Sequence, residues 1–161
     1  MAVFKEVYEE YGRPVYRFLL SLTGDRDLAE ELLQETFYQA FLHIDQFEGR
    51  CSVFTWLCQI GKNAWLKECR RTKKLETGNL SVYIQKEEGG SPEEQIIKKD
   101  EYRRVREAVF HLEEPYQEVF IMHVFGELKL KEIADLKGKT ESWARVTFYR
   151  AKAKIIQEVG E

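Results

Sequence analysis

No stretch of this chain is apolar for the roughly 20 residues that a helix needs to cross a bilayer, so the sequence offers no membrane-spanning helix. Cysteine is scarce. Cys51, Cys58 and Cys69 are odd in number and lack CxxC spacing, and no His stands near enough to complete a zinc pattern. They read as structural, Cys58 in an apolar helical stripe and Cys51 in a loop. Proline is as scarce, at three residues in 161, and glycine stops at ten. Leu, Glu, Lys, Ala and Gln are common instead, so an all-α fold is expected. The sequence has no glycine-rich phosphate loop, no HExxH and no clustered Asp triad, so no enzymatic activity, metal or cofactor is expected. His43, His111 and His123 are scattered. The N-terminus, Met1-Ala-Val-Phe-Lys-Glu, is amphipathic and unlike a signal peptide, which sets the expected compartment as the cytoplasm.

Charge is present but unevenly placed. The net charge is −3, which argues against a polyanion as partner. The distribution reverses that impression. Residues 62–74 carry six Lys/Arg against Glu68, and residues 128–154 carry eight Lys/Arg against Glu132, Asp135 and Glu141. Two basic segments on an acidic body suit two contacts with nucleic acid.

Periodicity divides the chain. Residues 2–23 place Val3, Phe4, Val7, Tyr8, Tyr11, Val15, Phe18, Leu19 and Leu22 at helical spacing, with a kink or break expected at Pro14 and a stop at Gly24. Asp27 and Glu30 form a capping-box-like start for a helix reaching Ile44. A loop spans 46–51, and Ser52 caps a third helix running to about Lys74. Residues 75–91 lose periodicity and read as a flexible linker. Ser91-Pro-Glu-Glu94 starts a helix reaching Leu112, and another begins at Glu114-Pro115 and closes at Gly126. The expected domains are therefore 1–74 and 92–161, joined by the 75–91 linker.

The C-terminal segment is the most informative. Leu130-Lys-Glu-Ile-Ala-Asp-Leu-Lys-Gly138 followed by Thr140-Glu-Ser-Trp-Ala-Arg-Val-Thr-Phe-Tyr-Arg-Ala-Lys152 reads as a helix, a tight turn and a longer basic helix. That is a helix-turn-helix, whose second helix enters the major groove. Ala144, Phe148, Ala151 and Ile155 fall on one side of the second helix and should face the core. Arg145, Val146, Tyr149, Arg150 and Lys152 then face outward, with Lys139 at the turn. Arginine suits guanine edges and lysine suits phosphate. Upstream, Phe47, Phe54, Trp56 and Trp65 cluster in sequence with Lys62, Asn63 and Lys67, the aromatic and cationic mixture that holds unstacked single-stranded bases.

Three motifs together resemble bacterial sigma factors. Asp27-Leu-Ala-Glu-Glu-Leu-Leu-Gln-Glu-Thr-Phe37 looks like their core-polymerase-binding helix. Phe47-Glu-Gly-Arg-Cys-Ser-Val-Phe-Thr-Trp-Leu-Cys-Gln-Ile-Gly-Lys-Asn63 is similar to their promoter −10 segment, and 130–154 to their −35-binding domain. The size resembles the extracytoplasmic-function, or group IV, subfamily. The resemblance implies a region 2-like domain of three or four helices and a region 4-like helix-turn-helix domain. It also implies −10 contacts from Phe47, Gly49, Arg50, Cys51, Ser52, Lys62, Asn63, Lys67, Arg70 and Arg71. The −35 contacts it implies come from Lys139, Arg145, Val146, Tyr149, Arg150 and Lys152, and core-polymerase contacts from Glu31, Gln34, Glu35 and Phe37. The implied partners are promoter DNA, core RNA polymerase through its β′ clamp and β flap, and an anti-sigma factor, in that family often membrane-anchored. Lys129 stands where the family often has a Ser or Thr cap, a basic residue is usual where Thr147 stands, and Trp143 replaces a smaller residue.

Two other classes account for part of the chain. A dimeric helix-turn-helix regulator acting without core polymerase would use 128–154 and leave 47–74 idle. An adaptor or sequestering module would use the acidic helices alone.

Overall fold

Helix α1 (Ala2–Thr23) packs against α2 (Arg26–Leu42) and α3 (Val53–Arg71), and these three build the N-terminal half of the protein. The structure is a computed structural model that describes residues 2–72 and 92–160, with side chains from 4 to 72 and from 100 to 160. The expected linker at 75–91, Lys73, Lys74 and the Ser91 cap lie outside the described residues.

Proline does not break α1. The helix runs through Pro14 without interruption. Pro14 removes one backbone donor from the ladder. Val15, Phe18, Leu19 and Leu22 follow it at helical spacing and are all buried, so packing outweighs the lost bond. Asp25, not Asp27, caps α2: its carboxylate accepts from the N–H groups of Asp27 at 2.9 Å and Leu28 at 3.2 Å. A single 3₁₀ turn, Ile44–Gln46, leads into the 47–52 loop. Gly61 sits where the three helices meet. A Cβ there would lie 3.3 Å from both Leu19 Cδ2 and Thr36 Oγ1, so a larger residue would make these neighbours give way.

The C-terminal half follows with α4 (Pro92–His111), α5 (Tyr116–Phe120), α6 (Leu130–Lys137) and α7 (Glu141–Gly160). Between α5 and Gly126 the chain widens into a π-helical turn, Ile121–Phe125. Helices α6 and α7 pack on each other across Gly138, whose φ of 68° is the left-handed conformation that ends α6. Lys129 supplies no cap side chain. Glu132 does the work instead, accepting the Lys129 N–H at 3.0 Å. All described elements are helical, and no strand occurs among the described residues.

The two halves share one continuous apolar cluster. Leu57, Cys58 and Leu66 of α3 belong to the same cluster as Val119, Met122 and Ile133 of the C-terminal half. Polar contacts reinforce the junction. Arg106 of α4 donates from Nε to the Leu22 carbonyl and from Nη2 to the Ser21 carbonyl, both at 2.8 Å. These carbonyls belong to the last turn of α1, whose acceptors the helix itself leaves open. Burial lowers the Arg106 pKa to about 10, still well above neutrality.

Candidate nucleic-acid interface

The outward face of α7 is assembled as its periodicity predicts. Ala144, Ala151 and Ile155 are buried, with Phe148 half-buried and stacked on Phe120 at 6.0 Å between centroids. Arg145, Val146, Tyr149, Arg150 and Lys152 are all exposed, Tyr149 at 61%. Thr147 points inward, so it offers nothing to this face. Arg145 is steadied by Glu141 one turn earlier, at 3.2 Å. Glu141 was not singled out from the sequence, although its i,i+4 relation to Arg145 was the available signal. Trp143 packs half-buried against the core, and Lys139 Nζ lies 5.8 Å from its ring centroid. The Thr140 hydroxyl accepts the Trp143 N–H at 3.1 Å and so caps α7. The result is a helix-turn-helix with an exposed basic face carrying one aromatic ring.

The second group gathers on the 47–52 loop and α3. Phe47 is half-buried with its ring 5.2 Å from that of Trp56. Gly49 has a φ of 78°, and Arg50 pairs with Glu48 at 3.0 Å. Cys51 is half-buried, and burial together with Asp135 and Glu132 of α6 pushes its thiol pKa up. Ser52 caps α3, its hydroxyl accepting the Thr55 N–H at 3.1 Å. Asn63, Lys67, Arg70 and Arg71 are exposed along α3, and Arg71 donates twice to Glu68 at 3.2 and 2.6 Å.

Three residues depart from their expected exposure. Lys62 is only 4% exposed. Its ammonium faces Glu118 at 2.9 Å and Glu114 at 3.5 Å, both on the C-terminal half, and so away from solvent. Phe37 is 3% exposed and sits edge-on to Tyr8 at 4.8 Å, so its ring belongs to the core and is not available to a partner. Trp65 is 2% exposed and likewise cannot stack on a base. Its helical register turns it into the core, a choice that aromatic content alone does not reveal.

Helices α2 and α3 flank a cleft of about 730 Å³. Glu31, Glu35 and Gln39 of α2 line one wall, and Trp56, Ile60, Asn63, Lys67, Glu68 and Arg71 of α3 line the other. Residues assigned from sequence to two different partners thus share one groove, acidic on one side and basic on the other. Gln34 is exposed on the same helix as Glu31 and Glu35. Beyond the groove, Tyr38, Phe41, Leu42 and Ile44 are exposed apolar residues at the end of α2 and the turn after it. Among the described residues, no group of three or more His, Cys, Asp or Glu side chains is placed to hold a metal ion. No helix there is long and apolar enough to cross a membrane.

Residues 7–75 match the sigma-70 region 2 family and residues 102–155 match sigma-70, region 4. The chain is 33% identical over 153 residues to the ECF RNA polymerase sigma factor SigM of Bacillus subtilis, covering 93% of this chain and 91% of that protein. It is 27% identical over 157 residues to the RNA polymerase sigma factor YlaC of the same organism, covering 94% and 88%. Among solved structures, the fold resembles the sigma factor RpoE of Bartonella quintana, determined in complex with the anti-sigma factor NepR. The TM-score is 0.61 at 21% identity, over 99% of this chain and 98% of that one. It also resembles CnrH, determined with the cytosolic domain of CnrY, at a TM-score of 0.56 and 19% identity over 94% and 84%.

Proposed function

The chain belongs to the extracytoplasmic-function RNA polymerase sigma factors of the sigma-70 family, and from that membership we propose how its two helical halves divide the work. As a sigma factor it directs promoter-specific transcription by core RNA polymerase. Sigma factors are specificity subunits and contribute no bond-making chemistry of their own.

In this reading, residues 1–74 form the unit that grips the polymerase and opens the −10 element. Glu31, Gln34 and Glu35 meet the β′ clamp, whose basic groups their carboxylates and amide suit. The 47–52 loop and Asn63, Lys67, Arg70 and Arg71 hold the unstacked strand. Phe47 beside Trp56 provides a half-exposed aromatic surface, and the α3 cations provide phosphate contacts. Residues 92–161 read the −35 element through α7, and the β flap docks on the same half. Arg145 and Arg150 are placed for base edges, with Lys139 and Lys152 placed for phosphates. The action is cytoplasmic, where the polymerase works. An anti-sigma factor is the natural antagonist, since the structural relative RpoE is bound by one.

The observation that carries this reading is the pairing of two separate basic faces, on α3 and on α7, in a chain whose two halves each match a sigma region. Permanganate probing of promoter complexes tests the −10 half. Core polymerase with the wild-type chain should expose reactive thymines at the −10 element. An Asn63→Ala, Lys67→Ala double variant should lower that reactivity about 10-fold or more, each strand contact being worth roughly 1 kcal/mol or above, while −35 protection persists. Equal loss at both elements would count against the division.

A further inference from the structure

We infer that Val146 and Tyr149 form an apolar reading centre on α7 that recognises thymine 5-methyl groups in the −35 element, between the base contacts of Arg145 and Arg150. The inference rests on the assignment of α7 to that element and names the bases it selects.

Val146 and Tyr149 are 46% and 61% exposed, and neither belongs to the apolar core. The buried side of α7 is already supplied by Ala144, Thr147, Ala151 and Ile155. Valine is also a poorer helix former than alanine, so helix stability does not call for it at an exposed position. Residues three apart are neighbours on a helix surface, which sets Val146 beside Tyr149. Arg145 lies one turn from Tyr149 and Arg150 one turn from Val146, so two exposed cations flank the apolar pair. The Tyr149 ring adjoins that of Phe148 at 6.1 Å between centroids, and Phe148 stacks on Phe120 at 6.0 Å. A row of rings thus supports the exposed one from the core.

Major-groove chemistry turns this arrangement into a base preference. The thymine C5-methyl is the apolar group that a base pair presents there, whereas guanine presents two acceptors that suit arginine. The Val146 side chain has neither donor nor acceptor. Adenine is read in two-point fashion by Asn or Gln and cytosine by Asp or Glu. Neither Asn nor Gln occurs between 139 and 152, and the carboxylate in that span, Glu141, is paired with Arg145 at 3.2 Å. Three residues advance a helix by about 4.5 Å, close to the roughly 3.4 Å between stacked base pairs. A recognition helix lying along the groove therefore sets Val146 and Tyr149 against neighbouring pairs. Either strand can carry the thymines, because both edges of a pair face the groove.

A promoter selected from a randomised library by core polymerase carrying the chain supplies the template for the test. Its −35 motif should hold two adjacent A·T pairs next to a G·C pair. Replacing the thymines of those pairs by deoxyuridine removes only the methyl groups. Run-off transcription should then fall about 4-fold for each methyl, the value of one buried methyl group. The Val146→Ala, Tyr149→Ala double variant should transcribe thymine and deoxyuridine templates equally. Its melting temperature should barely move, because both side chains are exposed. Tyr149→Phe keeps the ring and loses only the hydroxyl, so it should keep the thymine dependence.

A −35 motif without adjacent A·T pairs would overturn the inference. So would wild-type protein indifferent to deoxyuridine, or a double variant that loses as much on deoxyuridine as the wild type does. A Tyr149→Phe protein that no longer distinguishes the templates would assign Tyr149 to hydrogen bonding and overturn its place in the centre. The underlying assignment is read apart from these outcomes. Full transcription by an Arg145→Ala, Arg150→Ala variant removes α7 from the −35 element, and the inference falls with it. Lost transcription in that variant beside an unaffected deoxyuridine template keeps α7 on the DNA and refutes the methyl reading alone.

Discussion

Run-off transcription by core RNA polymerase carrying an Arg145→Ala, Arg150→Ala double variant is expected to fall about 30-fold or more. Both side chains are exposed on the α7 face that Tyr149 shares, and Arg145 pairs with the exposed Glu141. Their removal leaves the packed side of the helix untouched, because Ala144, Thr147, Ala151 and Ile155 carry it. A specific base-edge contact contributes about 1–3 kcal/mol. Contributions at separate base positions add roughly, so two lost contacts correspond to about 30-fold to 10⁴-fold. Surface substitutions of this kind change stability by only about 0.5 kcal/mol, so the melting temperature should barely move. Full transcription by the double variant would remove α7 from the DNA interface.

Trp65→Ala is expected to act through stability instead. The indole is almost wholly buried, and a large aromatic truncated in a core costs about 3–5 kcal/mol. For a chain of this size each kcal/mol lowers the melting temperature by about 2–4 °C. A loss of roughly 6–20 °C should therefore appear in thermal circular dichroism. Trp65→Phe should cost much less, because it keeps a ring in the core and removes an indole Nε1 that has no hydrogen-bond partner. The opposite pattern, an unchanged melting temperature with lost promoter opening, would mean that Trp65 stacks on a base after all.

Much of the C-terminal half was legible because its signals are local. The α7 stripe of Ala144, Phe148, Ala151 and Ile155 fixes which side faces in, and the outward residues follow by geometry. Gly138 marked the turn, since its left-handed backbone suits glycine. The misreadings have physical causes of another kind. Of the two outcomes expected at Pro14, a kink or a break, the break does not occur, because packing along α1 overrides the local signal. Asp27 resembled a cap because its Glu30 neighbour completed a pattern, whereas Asp25 had the geometry.

Lys62, Phe37 and Trp65 were assigned by residue type within a motif, and type does not report burial. The partner that buries Lys62 is Glu118, which lies across the unpatterned 75–91 segment, so no local spacing could have named it. The exposed edge at Tyr38, Phe41, Leu42 and Ile44 escaped for the converse reason. Helical spacing marks an apolar side without saying whether another element covers it.

Run-off transcription with core RNA polymerase on a randomised promoter library tests the central claim most directly. Transcripts that depend on the added chain should start from templates sharing two separate motifs, one near −35 and one near −10. The same chain without core should select neither. A single palindromic motif bound by the chain alone, with no chain-dependent transcripts, would contradict the account.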